Sequence, residues 1–232
     1  MAAIEILITS DPVCPWCYIG YRRLTKAIDL FRKTYPGGSS CEFKIIWKPY
    51  FLDEEAPAES VPYLERMAQK IGPDRVAGSQ DLLRRQGLAN GINFQFGGRI
   101  GSTRLAHQLI HTTALQGTQD QQTAVVEVLF RAHFEEEKDI TQIDTLVEIA
   151  VDAGLDATKV RTWFDDESVA GEIESQAKKA RERGIVGVPY FEIGEHELSG
   201  AQDVGEFFET FVAVMEGLGK EGVSEGPGAN HC

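Results

Sequence analysis

The chain has 232 residues and a formal net charge of −13, so its surface repels phosphate backbones and anionic lipid, and nucleic-acid and membrane partners are disfavoured. Hydrophobic residues make up 42%, enough for a buried core, while no apolar run approaches the ~18 residues a membrane span requires. The N-terminus, MAAIEILITSD, lacks a basic start and carries Glu5 inside its only apolar run, which is unlike a secretory signal, and a cytoplasmic location is expected.

Residues 3–9, AIEILIT, are short and continuously hydrophobic, as a strand buried on both faces would be. Beyond Cys14, Trp16, Ile19, Leu24, Ala27, Ile28 and Phe31 follow helical spacing until YPGG stops the segment. CEFKIIWKPY then predicts a second strand ending at Pro49. Strand, helix and strand in this order form a βαβ unit, most simply with parallel strands. From Phe51 to Gly184 helical periodicity dominates, with Ser102 and Thr141 as expected N-caps. Strand signals return at VPYFEIGEHELSG, a hairpin pattern. The following AQDVGEFFETFVAVMEGLG predicts an amphipathic helix with Val204, Phe207, Phe208, Phe211 and Met215 inward. The glycine-rich stretch from Gly217 predicts a disordered tail. Residues 1–50 and 185–216 thus read as one discontinuous α/β domain, 51–184 as a helical insertion and 217–232 as the tail.

SDPVCPWCYIG, starting at Ser10, places Cys14 and Cys17 where the first helix begins. A closed zinc site needs four ligands. Cys41, Cys232, His107, His111, His133, His196 and His231 supply no second half-site, and no metal is expected. A redox role has a physical reason at each position. At a helix start, unpaired N–H groups and the positive dipole end stabilise a thiolate at Cys14. Cys17, within the same turn, can attack a mixed disulfide formed at Cys14. Pro15 suits the first turn, where its missing N–H costs nothing, and Trp16 offers either an aromatic rim for substrate or a core contact. In GIVGVPYF, Pro189 opens the third strand; an ordinary trans proline is one reading. The other is a cis bond that frees the Val188 backbone to pair with an extended substrate.

Together SDPVCPWCYIGYRRL, STRLAHQLIH, LFRAHFEEEKDI, GVPYFEIG and LSGAQ resemble the thioredoxin superfamily, and within it a DsbA family oxidoreductase of the FrnE type. The resemblance implies a thioredoxin fold, βαβ then αββα, with a large all-helical insertion after the second strand. It implies thiol-disulfide exchange, with Cys14 attacking, Cys17 resolving and Pro189 in cis. Disulfide-containing proteins or small thiols are the expected partners of a monomer or homodimer, with no tightly bound cofactor and glutathione as a redox partner. Two positions depart from the pattern. Relatives carry a buried acid on the first strand where this chain has Ile8, so proton transfer would use water or another group such as Asp11. The Pro15–Trp16 dipeptide lacks the histidine of strongly oxidising members, which places the expected potential nearer about −200 to −230 mV than −120 mV.

In SGAQD, the Ala201 and Gln202 backbone N–H groups could hold a carboxylate, making Gly200, Ala201 and Gln202 candidate substrate-binding residues, or Ser199 or Asp203 could simply cap the last helix. Kappa-class glutathione transferases and hydroxychromene-carboxylate isomerases, which bind glutathione here, supply the alternative function; they characteristically carry serine where this chain has Cys14. A third reading is a chaperone-like binder using an apolar groove in the insertion. His107 and His111 read as ordinary helix residues, Cys41 as a small apolar residue, Cys232 as a free terminal thiol and FEEEKD as solvated helix surface.

Overall fold

The computed structural model describes residues 3–221. Its central sheet has the order β2, β1, β5, β6, built from Glu42–Pro49, Ala3–Ser10, Tyr190–Ile193 and His196–Ser199. β1 runs parallel to β2, with Ile6 opposite Ile45, and antiparallel to β5, with Ile8 opposite Phe191. β1 is flanked by strands on both sides, and Ile4, Ile6 and Ile8 on one face are buried. The other face is exposed at Ala3 and Glu5 and half-buried at Leu7, so burial on both faces, as the sequence predicted, holds only at the Thr9 end. β5 and β6 form a hairpin through a two-residue turn. Its first residue, Gly194, has φ 59°, the position where a type II′ turn takes glycine.

Helix α1 (Pro15–Thr34) crosses from β1 to β2, and its lower half packs on α9 (Val204–Glu221). Phe31 meets Phe211 edge-on at 5.7 Å between ring centroids. The α9 helix continues past Gly217, where the sequence predicted a disordered tail, so the helix and not the tail occupies 217–221; the rest of that expected tail lies outside the described residues. This is the thioredoxin arrangement of βαβ and αββα, with α8 (Glu167–Glu182) as the helix before the hairpin.

Between β2 and α8 lie α2 (Tyr63–Ile71), α3 (Pro73–Ala89), α4 (Arg104–Gln116), α5 (Gln119–Phe134), α6 (Ile143–Asp152) and α7 (Ala157–Trp163). They share a continuous core with the sheet. Tyr18 of α1 stacks on Phe130 of α5 at 5.0 Å and donates a hydrogen bond to Glu135 at 2.7 Å. Trp47 of β2 packs against Tyr21 and Phe130.

The segment is not purely helical. Val61–Pro62 and Arg99–Ile100 pair as a short antiparallel ladder, a non-local contact two residues long that carries no alternation signal. Two expected N-caps also move. The α4 cap is Thr103, not Ser102, and the α6 cap is Gln142, because the Thr141 hydroxyl donates to Asp139 at 2.7 Å instead. The acidic run after Phe134 is a loop and not helix surface. Its carboxylates accept from the Asn93 and Gly97 N–H groups and from the Ser60 hydroxyl, closing the insertion on itself.

Candidate active site

β1 ends at Ser10, and three residues of loop deliver Cys14 to the N-cap of α1, with Pro15 at its first turn. The Cys17 N–H donates to Cys14 Sγ at 3.3 Å, so the sulfur occupies the capping position that an oxygen usually fills. Cys14 Sγ in turn donates to the Val188 carbonyl at 3.5 Å. Both thiols are free and buried, while Trp16 between them is 36% exposed. The Val188–Pro189 bond is cis. Gly20 lets α1 approach this proline loop closely: a Cβ there would lie 3.1 Å from Pro189 Cγ and 3.2 Å from Phe191 Cζ.

The two cysteines have different surroundings. Burial pushes the Cys17 thiol well above its usual range, and neighbouring Cys14 adds to this, whereas the Ser10 hydroxyl and Asp11 N–H pull the other way. Asp11 is itself 1% exposed. Burial raises its carboxyl to about 6, opposed by the Leu52 N–H at 2.8 Å, the Val13 N–H and the Thr103 hydroxyl. The group that Asp11 turns toward Cys17 is thus its N–H, while its carboxylate is directed toward the first residues of the insertion.

His107 lies 3.0 Å from the Tyr50 carbonyl and 3.8 Å from Asp11, and burial lowers its pKa to about 4. At neutral pH it is an uncharged donor to Tyr50. His111 pairs with Glu172 at 3.2 Å. His107 thus belongs to the buried polar group around Asp11, whereas His111 faces Glu172 away from it.

The SGAQD segment closes the other side of the motif. The Gly200 N–H donates to the Pro189 carbonyl at 2.8 Å, and Gly200 takes φ 84°. The Gln202 N–H, one of the two donors expected for a carboxylate, is directed to Gly200 O at 2.9 Å. Ala201 O accepts from Arg23, which also pairs with Asp203 at 3.2 Å. With α9 starting at Val204, Asp203 and not Ser199 stands at its start. Cys14, Cys17, Pro15, Val188 and Pro189 therefore come together, with Gly200 and Ala201 adjoining. Cys41 is buried just before β2, at the end of the sheet away from Cys14, and Cys232 lies outside the described residues.

Among the described residues no group of three or more His, Cys, Asp or Glu side chains could hold a metal ion, and no helix is long and apolar enough to cross a membrane. Sequence reasoning offered an apolar groove in the insertion only as a third reading and identified none of the residues that face the motif. A cavity of about 290 Å³ beside Pro15 and Trp16 is walled by Leu52, Asp53 and α2, including Tyr63, Arg66, Met67 and Lys70. No local pattern marks these residues, because the chain folds back to the motif only through long-range packing.

The Bacillus subtilis (strain 168) protein YwbO is 24% identical over 200 residues, covering 85% of this chain and 90% of its own. The crystal structure of a probable DsbA oxidoreductase, SCO1869 from Streptomyces coelicolor, superposes with a TM-score of 0.78 at 28% identity, covering 99% of this chain and 94% of that one. A 2-hydroxychromene-2-carboxylate isomerase structure has a TM-score of 0.65 at 18% identity, with 96% and 100% covered, a likeness of fold alone. The model of the DSBA-like thioredoxin domain matches residues 5–212. With the paired thiols at the start of α1 and the sheet order already described, the chain belongs to the DSBA-like thioredoxin domain family.

Proposed function

We propose that the protein is a thiol-disulfide oxidoreductase working through Cys14 and Cys17. The observation that carries this reading is the position of Cys14 Sγ, which caps α1, receives the Cys17 N–H and lies against the Val188 carbonyl. The Cys17 N–H and the positive end of α1 both face that sulfur, at the mouth of the proline loop.

In the reducing direction the Cys14 thiolate attacks one sulfur of a substrate disulfide and expels the other as a thiolate. Cys17, once deprotonated, attacks Cys14 Sγ in the mixed disulfide and releases the second substrate thiolate. Two electrons pass to the substrate and Cys14 and Cys17 are left joined; the reverse sequence oxidises a dithiol. Burial raises the Cys17 pKa, so that thiol must hand its proton to an acceptor before it can attack the mixed disulfide. Pro15, Trp16 and Val188 form the rim a substrate would meet. Protein disulfides and small disulfides such as oxidised glutathione fit this chemistry.

The test is turnover in insulin-reduction and glutathione-coupled assays. Cys14→Ser should fall to background, and Cys17→Ser should accumulate mixed disulfide. Disulfide reduction or isomerisation surviving in Cys14→Ser would refute the assignment. Glutathione-dependent transfer or isomerisation that survives in the double serine variant would favour the transferase alternative.

A further inference from the structure

Helix α2 has an unusual environment. It packs on α3 and the β3–β4 ladder, formed by Val61–Pro62 and Arg99–Ile100, and no residue of it is fully buried. Tyr63, Met67 and Ile71 line the 290 Å³ cavity, whose opposite wall is Val13, Pro15 and Trp16. Apolar surface on both sides of a space next to a nucleophile favours an apolar occupant. The volume is at the small end of the ~300–1,000 Å³ typical of small-molecule sites.

The wall also carries charge. Arg66 Nη2 and Lys70 Nζ each lie 2.7 Å from the same Asp53 oxygen, so two cations share one carboxylate. All three side chains are partly exposed. The other acid on the wall, Asp11, is buried and accepts from the Leu52 and Val13 N–H groups. Lys70 also acts on that carboxylate, so the two cations and two acids of the wall balance. What stays open is hydrogen-bonding capacity, because Arg66 meets Asp53 through Nε and Nη2 and its Nη1 has no partner among the described residues.

We infer that this cavity is a substrate subsite for a small amphipathic disulfide or thiol, an apolar or aromatic body bearing a carboxylate, held by Arg66 and Lys70 while its sulfur meets Cys14. The inference rests on the thiol-disulfide reading and specifies its substrate class. The apolar body would lie between Met67 and Trp16, and the thiolate expelled by Cys14 would leave through the same mouth.

The probe is 5,5′-dithiobis(2-nitrobenzoate), compared with the uncharged 4,4′-dithiodipyridine, each reacted with the reduced protein. Cys14 thiolate attack cleaves the S–S bond and releases one coloured thiolate or thione per event. Wild type should saturate with the carboxylated reagent. In Arg66→Met/Lys70→Met the ratio of anionic to neutral rate should fall about tenfold, the change expected from one charge-assisted contact. Met67→Trp, which fills the cavity, should abolish saturation. Binding of 2-nitrobenzoate to Cys14→Ser, read from tryptophan fluorescence, should weaken in both variants. An unchanged rate ratio together with unchanged 2-nitrobenzoate binding would overturn the subsite. A wild type in which Cys14 reacts with neither reagent, while 2-nitrobenzoate still binds, would instead count against the oxidoreductase reading.

Discussion

Gly20 sits where α1 passes the proline loop, and an added methyl group would press on the Pro189 and Phe191 side chains while meeting the Ala201 backbone at 3.4 Å. Gly20→Ala should cost about 1–3 kcal/mol, as overpacking does, measurable by urea unfolding. Because the displaced neighbour is the loop that faces Cys14, the same variant should also slow exchange with small disulfides. The cysteines and Pro15 were legible in the sequence because each has a chemical signature at fixed local spacing, whereas the cis bond at Pro189 was implied only by the family resemblance. Gly20 was not legible, since nothing local shows which backbone it must approach. Asp11 was noticed as a substitute for the acid missing at Ile8, yet its burial and the direction of its carboxylate depend on Leu52 and Thr103, far along the chain. Asp11→Asn tests that residue directly. Because the Asp11 N–H and not its carboxylate faces Cys17, the pH profile of the resolving step should be unchanged in this variant; a several-fold slower step that loses its pH dependence near 6 would show that the carboxylate takes the Cys17 proton.

At the scale of elements, the joint between α1 and α5 decides whether the insertion and the sheet behave as one body. Phe130 is fully buried between Tyr18, Trp47 and Phe134. Phe130→Ala should cost about 3–5 kcal/mol. It should also raise hydrogen exchange in both α1 and α5; a loss confined to α5 would mean that the two elements open independently. The elements easiest to read in the sequence were long and periodic, such as α5, or continuously apolar, such as β1. The β3–β4 ladder was invisible because two residues have no period, and the FEEEKD loop was misread because charge normally marks solvated surface. Here it supplies acceptors that bind Asn93, Gly97 and Ser60 across the insertion.

For the whole molecule, buried titratable groups set the response to acid. Burial holds His107 and His133 down at about 4 from 6.5. The unfolded chain takes up these protons below 6.5 and the folded chain only near 4, so stability present at neutral pH is lost as pH falls through that window. The loss amounts to about 2 kcal/mol per histidine by about pH 5. Asp11 acts in the opposite sense: its raised carboxyl is costly to ionise in the folded state, and acidification returns about 1 kcal/mol over the same range. Urea unfolding should therefore show a net fall of about 2–3 kcal/mol between roughly pH 7 and 5, and His133→Gln should remove much of that slope. The order of elements, and with it the family, was readable along the chain, whereas the shared core and the cavity beside the thiols exist only once distant segments pack. The central claim is that Cys14 is the attacking sulfur, and peptide mapping of Cys17→Ser protein treated with oxidised glutathione tests it most directly. A single mixed disulfide on Cys14 is the predicted result; no adduct, or an adduct only on Cys41, would contradict it.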